Sequence, residues 1–381
     1  MIPYDVWAEI DLAAVSRNIR NLKSALAEGT RLMAVVKADA YGHGAVPVAK
    51  EVIAAGADCL AVARIGEAVE LRHAGINCPI LIFGRTPPPF TGRLMQYDLT
   101  QTVFSLAEAS AMSDLARAAG GRVRIHVKVD TGMGRLGVLA GGGRRFDDSV
   151  GEIEAISRLQ GIDAEGIYTH FATADEPDKT NAVGQFDFFR EIVARLRDRG
   201  IGFALRHAAN SAALVDMPET HLDMVRPGIS IYGHYPSGET TKLGVDLAPA
   251  MSLRARIIHL KEVGPGFKVS YGWTAETAEK TVIATVAIGY ADGFFRLLSS
   301  LGAMLVHGRR APVIGRVCMD NTMIDVGHVP EAAIGDPVLI FGRDGFGQIP
   351  AEELAGYVGT INYEVLSRIS SRVPRIYPRE E

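Results

Sequence analysis

Lys37 stands in the run AVVKADAYGHG (residues 34–44), where LMAVV reads as a buried strand that delivers one amine to its carboxyl end and then breaks into a glycine-flanked turn. A lysine held there cannot fully solvate its ammonium, so its pKa is expected to fall toward the range in which a neutral amine attacks carbonyls and holds Schiff bases. Taken alone, a strand-end lysine is more often one that snorkels its charge to water. Its companions reverse that preference. Tyr41, Arg135, His170, His207, Asn210, Ser211 and Arg226 also fall at or just beyond the ends of apolar segments, although they lie far apart in the chain. Each has an ordinary reading, His170 as a satisfied strand-end histidine and Tyr41 as a hydrogen-bonded loop residue. Together those readings become improbable.

What must position them is an alternation of short apolar strands and amphipathic helices. Candidate strands are LMAVVK (32–37), CLAVA (59–63), PILIF (79–83), LTQTVF (99–104), RVRIHVKVD (122–130), AEGIYTHF (164–171), FALRHAA (203–209) and a last one near MVRPGISIY (224–232). The helical patterns between them mostly close on glycine, the residue that caps a helix carboxyl end at no steric cost. Eight such units argue for an α/β fold of the TIM-type (β/α)8 barrel, whose strand carboxyl ends gather side chains at one mouth. A doubly wound sheet is the alternative. Beyond about residue 240 the texture becomes β-rich, with MSLRARIIHLKEV, TVIATVAIGY, AMLVHGRRAPVIG, CMDNTMIDV and DPVLIFG, then a helix near EELAGYVG. We therefore expect a barrel over 1–240 and a mostly β C-terminal domain over 241–381. The opening strand, DVWAEIDL, alternates apolar and polar residues and is a candidate partner for that β domain.

Composition narrows the function classes. The chain has 381 residues, enough to bury two cores, and a net charge of −4 with basic residues spread evenly, which makes nucleic acid an unexpected partner and small molecules the expected ones. Cys59, Cys78 and Cys318 are too scattered for a disulfide framework or a zinc site, in keeping with a reducing compartment. No segment reads as a secretion signal or a membrane span, so a cytoplasmic location is expected. One motif is a decoy. GMGRLG (132–137) fits the GxGxxG pattern of dinucleotide sites, but it sits on the fifth unit and contains Arg135, so its glycines are expected to serve a tight turn.

Further runs occur in order along the chain: KVDTGMGRLG (128–137), HFA (170–172), ANSAA (209–213), RPGISIYG (226–233), SYGW (270–273), GYADG (289–293), CMD (318–320) and INYE (361–364). With AVVKADAYGHG, this series resembles the alanine racemases, and the resemblance spans almost the whole sequence. It implies that Lys37 carries pyridoxal 5'-phosphate (PLP), that Tyr41, Asn210, Ser211, Gly228, Ile229 and Tyr363 surround the cofactor phosphate, that Arg226 faces the pyridine nitrogen and that His170 packs near the ring. An arginine there matters chemically, because a guanidinium does not leave the ring nitrogen protonated as a carboxylate would, so the ring is a weaker electron sink and simple proton exchange is favoured.

Racemisation needs an acid/base group on each face of the reacting carbon. The resemblance implies Lys37 for one face and Tyr271 of a partner chain for the other, in a homodimer whose active sites are shared. An ordinary phenol, with a pKa near 10, is a poor base at neutral pH, so His170 and the arginine beyond it are expected to assist. The same resemblance places Met319 and Asp320 at the substrate carboxylate, Arg135 at that carboxylate or at the cofactor's phenolic oxygen, and Tyr290, Arg296, Arg316 and Ile361 along the substrate's access path, which favours a small amino acid. It also matches Lys128 to a lysine that some family members carbamylate. The competing readings are a broad-specificity amino-acid racemase, a PLP decarboxylase of similar architecture, and a non-catalytic PLP carrier; Arg226 argues against the second, and residues 245–381 against the third.

Overall fold

The computed structural model describes residues 2–240, 244–345 and 347–378. The chain divides into two compact units: one of residues 13–40 and 45–248, the other of 1–12, 41–44 and 249–381.

The first unit is a (β/α)8 barrel. Its strands are Arg31–Val35, Cys59–Val62, Ile80–Ile82, Thr100–Val103, Val123–Asp130, Ile162–Tyr168, Leu205–His207 and Met224–Val225, all parallel and hydrogen-bonded in chain order, with the eighth returning to the first through Met224 opposite Arg31. Between the seventh and eighth, the Asp223 N–H donates to the Arg206 carbonyl (3.1 Å) and the Arg226 N–H to the Ala209 carbonyl (3.0 Å), which completes the circle. The first three strands are nearly continuous apolar runs because both faces are covered, outside by helices and inside by each other, whereas later strands bury polar residues such as Gln101, Thr102, His126 and His207. Leu12–Ser24 shows how a helix is seated. It buries Val15, Ile19 and Leu22, while Asn18 donates to the carbonyls of Ile231 (3.2 Å) and Ala248 (2.9 Å) and accepts from the Ala248 N–H (2.8 Å).

Three expected strands come out differently, the seventh shrinking from 203–209 to Leu205–His207. The eighth is only two residues long, because Pro227 brings no N–H to the ladder and the chain then turns into a 3-10 segment, Ile229–Tyr232. The sixth starts earlier and stops at Tyr168, so His170 lies in the loop beyond it rather than within the strand. The GMGRLG glycines build a turn, as expected. Asp130 Oδ1 accepts from the N–H groups of Gly132 and Gly134 (3.0 Å each), and a Cβ at Gly137 would sit 2.4 Å from the Asp130 nitrogen. The chain then enters the short strand Val138–Leu139, so the motif opens no helix and lacks the phosphate-binding geometry of a dinucleotide site.

The second unit is built around the strand Met251–Val263, which pairs antiparallel with Val6–Ile10, Thr281–Val286 and Pro337–Arg343. A bulge between Ile257 and His259 lets this one long strand bend and serve successive partners. Ala303–Val306 and Arg309–Pro312 form a hairpin whose two-residue turn, His307 and Gly308, has positive φ at both positions, as the twist of a tight hairpin demands. Residues 41–44 belong to this unit through bonds from Arg375 to the Gly42 carbonyl (2.9 Å) and from Tyr377 to the His43 carbonyl (3.1 Å). Among the described residues no helix is long and apolar enough to cross a membrane.

Candidate active site

The first barrel strand ends at Val35, and the backbone then makes a left-handed turn that sequence reasoning did not anticipate. Ala38, Asp39, Ala40 and Tyr41 all have φ between 52° and 54°. For L-residues each such position costs roughly 1–2 kcal/mol. The turn is held by specific bonds: the Ala38 N–H donates to Glu67 (2.6 Å), the Ala40 N–H to the Val36 carbonyl (3.0 Å), and the Ala45 N–H to Asp39 (2.7 Å). Glu67 is itself fixed by accepting from the N–H groups of Ala63 and Arg64 (2.8 Å each). Lys37 therefore stands at the start of an over-determined turn, half-buried, and burial with the nearby Arg135 charge pushes its amine down, opposed only in part by Glu67.

Around it the barrel gathers cations. Lys128, on the fifth strand, is 4% exposed, and burial with the charges of Arg135 and Arg226 lowers its pKa to about 8. Arg226 is buried, and burial lowers even its guanidinium, to about 10. It donates to the carbonyls of Thr169 and Ala208 (2.9 Å each), to His207 Nδ1 (2.9 Å) and to His170 Nδ1 (3.2 Å), and it lies over the Tyr168 ring. A guanidinium only donates, so both imidazoles must accept through Nδ1 and carry their proton on Nε2. Burial and the surrounding cations hold His170 and His207 well below the usual imidazole range, which keeps both neutral. His170 is thereby prepared to donate onward from Nε2.

Not every expected residue lies where strand-end logic puts it. His207 does not face the mouth. It is fully buried inside the barrel, stacked on Tyr168 at 4.6 Å and bonded to His126, so it supports Arg226 from behind. Asn210 uses its side-chain oxygen to cap the helix Ser211–Asp216, accepting from the Ala213 N–H (3.0 Å). Ser211 Oγ accepts from the N–H groups of Gly228 (2.9 Å) and Ser230 (3.5 Å), which leaves its own hydroxyl proton to be donated elsewhere. Ile229 begins the adjoining 3-10 turn and is buried; Arg135 is exposed in the GMGRLG loop. Tyr168, His126 and Glu67 were missed. The fifth strand gave a signal for one of them, since Arg124, His126, Lys128 and Asp130 share a face while Ile125, Val127 and Val129 share the other.

The remaining expected residues belong to the second unit, where the structure brings most of them together. Tyr41 and Tyr363 lie with ring centroids 6.1 Å apart, Tyr41 buried and its phenol pushed up by burial. Tyr271 and Trp273 lie beside Cys318, Arg316 packs against Gly272, and the N–H groups of Tyr290 and Ala291 bond the carbonyls of Cys318 and Met319 (3.0 Å each). This close approach requires Gly289, where a Cβ would sit 2.2 Å from the Met319 oxygen. Arg372 ties Asp320 (2.9 Å) to the buried Asp292 (3.0 Å). Tyr271 is 71% exposed, Trp273 69% and Met319 53%. Arg296 and Ile361 are exposed on the same unit, Ile361 directly preceding the helix Asn362–Ser367.

A closed parallel barrel with a desolvated lysine beyond its first strand, followed by a β-rich unit, defines a class, and the comparisons identify it. Residues 10–236 match the family described as alanine racemase, N-terminal domain, and residues 250–377 its C-terminal domain. An alanine racemase from Desulforamulus reducens is 50% identical over 372 residues, 98% of each chain. An alanine racemase structure from Clostridium difficile 630 superposes with a TM-score of 0.94 at 42% identity, covering 99% of this chain and 97% of that one. The alanine racemase of Bacillus anthracis with bound L-Ala-P superposes at 0.92 and 39% identity, covering 100% and 96%. The chain belongs to the alanine racemase family. Its enzymatic class is thereby set: it is an isomerase, an amino-acid racemase acting on alanine.

Proposed function

We propose that this enzyme interconverts L- and D-alanine with PLP held on Lys37, by two-base proton transfer in a homodimer whose sites each draw Tyr271 from the partner chain. The observation that carries the reading is the bonding of Arg226, which by donating to His170 Nδ1 leaves His170 a proton on Nε2 to give.

The residues present fit the cofactor. Lys37, Lys128, Arg135 and Arg226 concentrate positive charge at the barrel's carboxyl mouth, suited to a phosphate and a carboxylate. Ser211 has a hydroxyl proton to offer a phosphate, with Asn210, Gly228 and Ile229 around it and Tyr41 and Tyr363 as further donors. When bound, PLP withdraws electrons from the substrate α-carbon and so makes its proton removable. The depressed Lys37 amine accepts or returns that proton at Nζ on one face. Tyr271 does so at Oη on the other, assisted by the His170 Nε2–H, which stabilises a phenolate. Arg226, donor only, keeps a positive charge without giving up a proton. Arg135, the Met319 backbone and Asp320 orient the carboxylate, while Tyr290, Arg296, Arg316 and Ile361 line the access path and favour a small side chain.

An exposed catalytic phenol beside Trp273, on a unit that also exposes Met319, is what a shared site requires, because exposed apolar surface of that kind is covered when a second copy docks. In a bacterial host, D-alanine for cell-wall precursors is the product's use, and the cytoplasm is the compartment. The test is a chiral assay of the PLP-loaded protein with L-alanine, L-serine, L-lysine and L-arginine, following both enantiomers and any amine released. Dominant D-alanine supports the reading. D-lysine or D-arginine at comparable rates makes the enzyme a broad-specificity racemase, and amine release makes it a decarboxylase.

A further inference from the structure

The bonding behind Arg226 does not stop at His207. His207 Nε2 lies 2.8 Å from His126 Nδ1, and His126 Nε2 lies 3.5 Å from a carboxylate oxygen of Glu165. Glu165 and His126 line a cavity with Arg31, Asp58, Cys59 and Thr100. Arg31, Cys59 and Thr100 each begin a barrel strand, so this cavity opens at the amino-terminal mouth, opposite the end that bears Lys37. A line of polar groups thus crosses the interior of the barrel, where apolar packing is the rule.

Its protons are fixed only when both ends agree. Arg226 can only donate, so His207 accepts at Nδ1 and bears its proton on Nε2. That proton has His126 Nδ1 as its acceptor, so His126 in turn bears its proton on Nε2, facing Glu165. The chain is consistent only if Glu165 presents an acceptor. The His126 N–H favours the ionised form of Glu165 most, and the Arg124 and Arg31 charges add to this against the opposing effect of burial. Burial disfavours a charge on His126 and on His207, so the line carries a cation at one end, an anion at the other and two neutral rings between. The rings are held in place. His207 stacks on Tyr168, whose hydroxyl is 3.0 Å from Thr102, and Gly166 makes room for His126, since a Cβ there would lie 2.7 Å from the imidazole.

We propose that Glu165 is a positioning residue for Arg226, acting from the opposite end of the barrel by fixing the tautomers of His126 and His207 and so the direction in which the guanidinium is held. This rests on the proposed role of Arg226 at the cofactor's ring nitrogen. The proposal is tested by 15N shifts of the imidazole nitrogens in histidine-labelled enzyme, with and without PLP, beside alanine racemisation kinetics. In the wild type both His126 and His207 are expected to be neutral and protonated on Nε2. In Glu165→Ala the fixed His126 tautomer is expected to be lost and kcat to fall about tenfold, the scale of one hydrogen bond in a charged line, with KM little changed. Glu165→Gln, whose carboxamide oxygen still accepts, should restore both. Wild-type rings protonated on Nδ1, or a Glu165→Ala variant with unchanged tautomers and kcat, overturns the proposal. Should Glu165→Ala fail to fold, Glu165→Gln decides: a folded Glu165→Gln enzyme that loses the His126 Nε2 proton or falls tenfold in kcat overturns the proposal, and the tautomers are read without PLP, independently of whether the racemase reading holds.

Discussion

Lys128 gives the sharpest quantitative test of the barrel's electrostatics. It is almost fully buried, it faces Arg135, Arg226 and Lys37 with only Asp130 in opposition, and its pKa falls from 10.5 to about 8. Between those values the unfolded chain binds a proton that the folded chain has released, so stability rises with pH across the window. Below pH 8 the folded protein bears the full disadvantage of a buried cation, about 3 kcal/mol at 1.36 kcal/mol per pH unit. Lys128→Met keeps the length of the side chain and removes the charge. It also removes a cation–π contact with Tyr168 at 5.9 Å, a loss of about 1 kcal/mol or less. The variant should therefore be more stable than the wild type by about 2 kcal/mol at pH 7, and the difference should vanish as pH rises past 10.5. Guanidinium unfolding of both proteins from pH 7 to 11, in buffer freed of carbon dioxide, measures this. A difference that is flat across the window, or a variant less stable at pH 7, would refute the account. Added bicarbonate then tests carbamylation, since about a tenth of the Lys128 amine is neutral at pH 7 and able to react. An anion formed there would stabilise the wild type and leave the methionine variant unmoved.

The remaining predictions concern the reaction and the loops that serve it. Lys37→Ala should lose the visible absorbance of covalently held PLP and at least about a thousandfold in activity; absorbance that survives denaturing dialysis would assign the cofactor to another lysine. Tyr271→Phe should lower kcat/KM about 10²–10⁴-fold in both directions, as an equilibrium constant of one requires, while slowing exchange of the α-hydrogen with solvent deuterium far more from L-alanine than from D-alanine; equal losses of exchange would argue against a face-specific base. Mixed Lys37→Ala and Tyr271→Phe subunits should recover part of the activity, and no recovery after verified subunit exchange would favour a site made within one chain. Gly289→Ala should destabilise the protein by about 1–3 kcal/mol and displace the Met319 loop, because its Cβ cannot fit beside that carbonyl; thermal unfolding at wild-type temperature with unchanged KM would contradict the packing.

What was legible in the sequence was whatever depends on near neighbours in the chain. Strand and helix periodicity gave the barrel, Met251–Val263 was readable residue for residue, and Lys37 and Arg135 stood out by type and position, whereas Tyr271 stood out only through the family resemblance of SYGW. Breaks in periodicity were harder. The eighth strand was overextended because Ile229–Tyr232 is apolar enough for a strand, although Pro227 had already removed a ladder bond. The left-handed turn after Val36 was invisible, because alanine and tyrosine carry no preference for positive φ and tertiary contacts, among them those with Glu67 and Ala45, hold them there.

The sequence by itself determined the order of the elements, the apolar faces and the inventory of reactive groups. Only the tertiary structure decided what those groups are to one another. Barrel register brings His126, Glu165, His207 and Arg226 from three strands and a loop into one line, with a donor-only guanidinium at one end and a carboxylate at the other. Burial chose which lysines lose their charge most readily, a matter of how many cations and how little water surround each amine, and neither quantity is carried by the residue itself.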